Sequence, residues 1–199
     1  MYIKNGKLFI EDKSVFRHSP NFYNSVQQKF LVLHYTAGRG IDSTVNFMSN
    51  SSSMRSSHFV VGRDGKIAQL VHTSNGAWHA GKSTYTFNGE TYISLNKYSI
   101  GIEIDNYGYL EKKEDEFYSW FGVKVSNDKV VQAVHKKENH PRYWEIYSPD
   151  QYMAVLELCK LLYSNYKFLD IVGHDDISKT KIDPGPAWPM EQFKKLVFA

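Results

Sequence analysis

The sequence has a single cysteine, Cys159. No disulfide can form within the chain, and a structural metal site built from several thiolates is excluded. Cys159 falls in an apolar helical pattern and reads as a small buried hydrophobe. Long hydrophobic runs are also missing. No stretch is long enough to cross a membrane as a helix, and the N-terminal Met-Tyr-Ile-Lys-Asn-Gly-Lys lacks the apolar run of a secretory signal. The expectation is synthesis in the cytoplasm, with any action outside it depending on release or delivery by another route. Charge of one sign is scarce too. The net formal charge is +3, and the basic residues are scattered, with only short pairs such as Lys112-Lys113 and Lys136-Lys137. A nucleic-acid partner needs a concentrated basic face, so none is expected. There is no HExxH motif, no internal repeat and no low-complexity segment.

What remains is the composition of a folded globular protein. Of 199 residues, 42% are hydrophobic and 23% charged, which suits one domain with a real core; a monomer is expected. Residues 1–29 read as an N-terminal arm with a short strand at Lys7–Ile10. Phe30-Leu-Val-Leu-His-Tyr35 is short, apolar and branched, as a buried strand is. A helix follows from Asp42 to Ser51, capped by Asp42 or Ser43, with Val45, Phe47 and Met48 towards the core. Residues 58–71 form a hairpin about the Asp64-Gly65 turn, with Arg63 and Asp64 as turn residues. Residues 82–97 look like an exposed excursion. Ser99–Ile104 is a second central strand. Residues 105–147 read as an insertion holding one hairpin. Ser148-Pro149-Asp150 opens a helix with Met153, Leu156, Leu158, Leu161 and Leu162 on its apolar face. Ile171-Val172 is a last strand and Trp188–Val197 a closing helix. The pattern predicts an α/β fold, a mixed central sheet flanked by helices.

The chemistry gathers at residues 170–190. This stretch delivers His174 at a strand end, then Lys181 and Asp183 on a loop stiffened by Pro184, Pro186 and Pro189. Taken alone, it reads as a surface connection with solvated charges. A second histidine, His34, ends the Phe30–Tyr35 strand, where open α/β sheets place ligands. Two imidazoles and one carboxylate would leave a position open for water on a zinc ion, the ligand set of a hydrolytic site. Glu103 could take the water's proton and Lys181 could stabilise an oxyanion. Periodicity alone turns Glu103 to a solvated face instead.

Six blocks carry a resemblance: Val-Leu-His-Tyr-Thr-Ala-Gly (32–38), Ser-His-Phe-Val-Val-Gly-Arg-Asp-Gly (57–65), Ala-Trp-His-Ala-Gly (77–81), Ser-Ile-Gly-Ile-Glu-Ile (99–104), Val-Gly-His-Asp-Asp-Ile (172–177) and Lys-Ile-Asp-Pro-Gly-Pro (181–186). In this order they are similar to the type 2 N-acetylmuramoyl-L-alanine amidases, a group with anhydromuropeptide-recycling amidases, phage lysins and peptidoglycan recognition proteins. The resemblance implies a peptidoglycan recognition protein-like fold and zinc held by His34, His174 and Asp183. It implies Glu103 and Lys181 as catalytic partners, and Trp78 and His79 lining a substrate groove. The implied substrate is peptidoglycan or a muropeptide, cut between N-acetylmuramic acid and the L-alanine of the stem peptide. The alternative is a peptidoglycan-binding module on the same fold without hydrolysis. Some phage members carry Tyr where Ser57 stands and Cys where Asp183 stands. The insertions at 84–97 and 105–147 do not match the family pattern residue by residue, and they could reshape the groove.

Overall fold

The strand β1 (Phe30–Tyr35) is buried along nearly its whole length, because both of its faces are covered. In a computed structural model describing residues 1–199, it lies near the middle of a five-stranded sheet. Its companions are β2 (Phe59–Val61), β3 (Ile67–Gln69), β4 (Ser99–Ile104) and β5 (Asp170–Gly173). The order across the sheet is β5-β1-β4-β2-β3. All neighbours run parallel except β2 and β3, the predicted hairpin. The sheet is mixed, as expected.

Strand alternation sorts the two faces. Leu31, Leu33, Ile100, Ile102 and Ile104 point to a 19-residue core cluster shared with the helices. Phe30 and Val32 face a smaller cluster with Tyr92, Leu95 and Val172. Helix α1 (Ile41–Met48) starts after Gly40 rather than at Asp42 or Ser43. Its Phe47 is half exposed rather than core-facing. Helix α2 (Pro149–Tyr166) begins with a capping box in which Ser148 and Gln151 satisfy each other's backbone. It buries Val155, Leu156, Leu158, Cys159 and Leu162 and leaves Met153 exposed. Helix α3 (Met190–Phe198) packs against α2 and β5.

The expected short strand Lys7–Ile10 is present, as the middle strand of a three-stranded sheet, and its Leu8 enters the main core. Two other expectations change. Residues 84–93 form a hairpin within the excursion, exposed on one side and packed on the other. Its Asn88-Gly89 turn has positive φ at both positions, 48° and 84°, which the strand twist of a tight hairpin requires. Tyr85, Phe87 and Tyr92 from this hairpin pack edge-on against Phe30. Residues 105–147 hold a five-stranded antiparallel sheet rather than one hairpin. Its strands are short, from Tyr109–Lys113 to Pro141–Glu145, and Trp144 is its buried anchor.

Arg63 also does more than sit in a turn. It pairs with Glu145 through Nε and Nη2 at 3.0 and 2.9 Å. Its Nη1 lies 2.6 Å from Asp105, and its guanidinium stacks over Tyr107 at 4.1 Å. One side chain thus ties the hairpin to the insertion and to the end of β4. Asp64 stays a turn residue, accepting from the Lys66 backbone at 3.2 Å.

Candidate active site

The register of the central strands sets the site. Glu103 on β4 lies directly opposite His34 on β1. The same face of β4 carries Ser99 and Gly101, which are small. That face is not solvated, contrary to the periodicity reading. It is covered by the loop after Gly76–Ala77, and Glu103 is 8% exposed. His174 follows β5, the other neighbour of β1, as the first residue of a single helical turn. The chain then loops back to place Asp183.

The structure brings His34, His174 and Asp183 together. His34 Nδ1 and His174 Nδ1 are 3.0 Å apart. Asp183 Oδ2 lies 2.9 Å from the first and 3.0 Å from the second. All three residues are buried, and their ligand atoms lie within 4.8 Å of one another. Three donors at the corners of a nearly equilateral triangle fit one small cation capping the triangle, with metal–ligand bonds of about 2 Å. The ring nitrogens facing away have partners of their own. His174 Nε2 is 3.3 Å from the Ala80 carbonyl. His34 Nε2 is 2.9 Å from His79 Nδ1.

His79 lines the groove, but its ring stands behind His34 rather than in the open. It lies over Gly101, where a Cβ would come within 2.5 Å of the ring. Its Nε2 is 3.2 Å from Ser99 Oγ, and Ser99 donates to the Leu95 carbonyl at 2.6 Å. A glycine inside an apolar strand marks a close approach, and that was the available signal. His58 is structural: Gly101 N donates to its Nδ1 at 3.0 Å, and its Nε2 meets the Asn75 carbonyl at 2.8 Å.

Burial governs the charges. It pushes Glu103 well above the usual carboxylate range, and Asp183 adds to this; Lys181 and Arg55 oppose it. Burial, then the neighbouring His174, lowers His34 to about 4. Burial alone would raise Asp183, but hydrogen bonds with His174 and His34 outweigh it and hold the carboxyl well below its ordinary value. The result is a pocket in which the Asp183 carboxylate stays ionised beside a neutral His34, while the Glu103 carboxyl holds a proton more readily than an ordinary carboxylate does.

The groove outside has a volume of about 860 Å³. Glu103, the exposed Lys181, Trp78 and Arg55 all line it, with Phe47 and Met54 on its apolar rim. Trp78 Nε1 is buried without a protein partner.

A family model described as N-acetylmuramoyl-L-alanine amidase matches residues 24–186. The chain belongs to this family. It is similar to the N-acetylmuramoyl-L-alanine amidase AmiD of Escherichia coli (strain K12), with 33% identity over 174 residues, covering 82% of this chain and 51% of that protein. The chain spans about half the length of the curated relatives it matches. A solved AmpD structure shares the fold, with a TM-score of 0.67 at 20% identity over 98% of this chain and 99% of that one. The E. coli AmiD structure superposes with a TM-score of 0.62 at 28% identity, covering 97% of this chain and 66% of that one. That AmiD was solved with the substrate anhydro-N-acetylmuramic acid-L-Ala-D-gamma-Glu-L-Lys.

Proposed function

We propose that this chain is a zinc-dependent amidase that hydrolyses the bond between the lactyl group of N-acetylmuramic acid and the L-alanine of the stem peptide. The observation that carries the reading is the meeting of His34, His174 and Asp183 next to the buried Glu103. Two imidazoles and a carboxylate, with one side open to a groove, suit a hydrolytic zinc site rather than a closed structural one. When bound, the ion supplies Lewis acidity and lowers the pKa of water to near neutrality.

The chain's own groups supply the rest. A ligating Nδ1 carries no proton, so the ring proton of His34 sits on Nε2 and donates to His79 Nδ1. His79 then donates from Nε2 to Ser99, and Ser99 to the Leu95 carbonyl. The chain of donors runs one way, which fixes both tautomers. His174 is fixed likewise by the Ala80 carbonyl. Glu103, with its raised affinity for protons, takes the proton of the attacking water and returns it to the leaving nitrogen. The ammonium of Lys181, on the groove wall, steadies the tetrahedral oxyanion. The Trp78 side chain forms part of the groove wall along which the substrate would lie.

The test is a digest of purified anhydromuropeptide and of intact sacculi by zinc-loaded protein, read by mass spectrometry. Release of stem peptides with a free L-alanine amine is expected. Intact substrates at full zinc occupancy would overturn the reading.

A further inference from the structure

The insertion sheet reaches back to the loop that carries the candidate site. Three consecutive residues, His135, Lys136 and Lys137, each touch that loop. His135 is 1% exposed. Its Nδ1 accepts from the Lys137 backbone at 3.2 Å, so its proton sits on Nε2, 3.0 Å from Asp175 Oδ2. Asp175 is itself buried, next to His174. Its other oxygen lies 2.9 Å from the Lys136 ammonium, in an ion pair without hydrogen-bond alignment. Lys136 also pairs with Asp176. The Lys137 ammonium donates to two carbonyls, Ser178 at 2.5 Å and Lys181 at 2.7 Å. It therefore closes the stretch from 178 to 181 on itself.

The loop is braced from its other end as well. Asp175 N donates to the Asp183 carbonyl at 2.9 Å. Tyr147 donates to the Pro184 carbonyl at 2.8 Å, and Gly185 leaves room for the Trp144 ring, which a Cβ would meet at 2.8 Å. Without the insertion, the Asp175 carboxylate would be a buried anion with no counter-charge, and the two carbonyls would lose their donor.

We infer that His135, Lys136 and Lys137 are positioning residues, a clasp through which the 105–147 insertion holds the 174–183 loop so that His174, Asp183 and Lys181 act together. The inference rests on the amidase reading for its catalytic consequence but not for the clasp itself. An ammonium bridging two carbonyls one loop-turn apart fixes the point from which the Lys181 side chain leaves. A buried His–Asp pair beside a metal ligand fixes that ligand's backbone. Groups of this kind orient ligands without touching substrate.

The experiment compares full-length wild type with Lys137→Ala, Lys137→Arg and His135→Ala. It reads amide hydrogen exchange over residues 176–182, zinc affinity by chelator competition, and kcat and KM on anhydromuropeptide. Lys137→Ala is expected to speed exchange in that stretch by about tenfold or more, with the β1 amides unchanged. Its kcat is expected to fall about 10- to 100-fold, with KM within about twofold. Lys137→Arg, whose guanidinium also reaches two acceptors, restores most of both. His135→Ala is expected to weaken zinc binding about 10- to 100-fold. Wild-type exchange at 176–182 in Lys137→Ala overturns the clasp. So does faster exchange with kcat and zinc affinity both unchanged. If the wild-type chain cleaves no muropeptide, the amidase reading fails, and the exchange and zinc measurements still decide the clasp. If His135→Ala does not fold, Lys137→Ala and its arginine rescue carry the test.

Discussion

Replacing Gly101 by Ala isolates one contact behind the site. The new Cβ would stand 2.5 Å from His79 Cγ, 2.7 Å from Nδ1 and 2.8 Å from Cδ2. Carbon atoms settle at about 3.5–4.0 Å, so the imidazole must move by about 1 Å. A shift of that size takes the 2.9 Å bond to His34 Nε2 to the edge of hydrogen bonding or beyond it. Two effects oppose each other in stability. Gly→Ala favours folding by about 0.4–1 kcal/mol through the unfolded chain. Overpacking of a closed core costs about 1–3 kcal/mol. The clash is with a ring wedged between His34 and Ser99, which cannot swing clear, so the cost wins. A thermal melt should drop by about 2–4 °C for each kcal/mol lost. Zinc affinity, from competition with a chromophoric chelator, should fall about 10- to 100-fold because His34 loses its orienting partner. The double variant Gly101→Ala/His79→Ala removes the clash. It is expected to regain much of the melting temperature of the single variant and none of the zinc affinity. The reasoning fails if Gly101→Ala, or His79→Ala alone, binds zinc as the wild type does.

Other perturbations separate the remaining roles. Glu103→Gln should keep zinc and lose about 10²- to 10⁴-fold in kcat, whereas His174→Ala should lose both metal and turnover; metal analysis beside steady-state kinetics reads the difference, and full activity in Glu103→Gln would remove that base. Arg63→Ala strands the buried Asp105 and Glu145. It is expected to cost about 3–5 kcal/mol in a denaturant titration, towards the lower end because Arg63 is partly exposed; a loss below about 1 kcal/mol contradicts the bridging role. His58 is held neutral by burial, at about 4 against 6.5 unfolded. The unfolded chain therefore takes up a proton first as pH falls, so stability drops through the window from 6.5 towards 4. The loss from this one group is about 2 kcal/mol by pH 5. In metal-free protein, His58→Gln should flatten that acid limb, with His34 and His79 supplying the residual slope in the same direction; an unchanged limb would exclude His58 as a source.

The parts of the fold written in strong local patterns were legible. Phe30–Tyr35 opens as a continuous apolar run, Ser99–Ile104 sets an isoleucine at every second position, and Ser148 to Gln151 spells out a helix start. The insertion was not, because its strands are two to five residues long and charged on their outer faces, so neither period survives. The 84–93 hairpin was missed although Asn88-Gly89 announces it; its polar Thr and Glu positions concealed that Tyr85, Phe87 and Tyr92 share a buried side. In the site, His34, His174, Lys181 and Asp183 were singled out by chain position. The place of His79 behind His34 depends on the room left by Gly101, and the attachment of Asp175 to His135 crosses 40 residues. Neither leaves a mark in spacing.

Strand β4 is a single six-residue ribbon with two incompatible duties. Its isoleucines belong to the core and its Ser99, Gly101 and Glu103 to the site side. Adding or removing one residue just ahead of Ser99 would exchange those duties at a stroke, sending Glu103 into hydrocarbon and an isoleucine onto His34. Length variation among descendants of this chain should therefore avoid residues 94–98, while the turn tips beyond Ile104 stay free to lengthen or shorten.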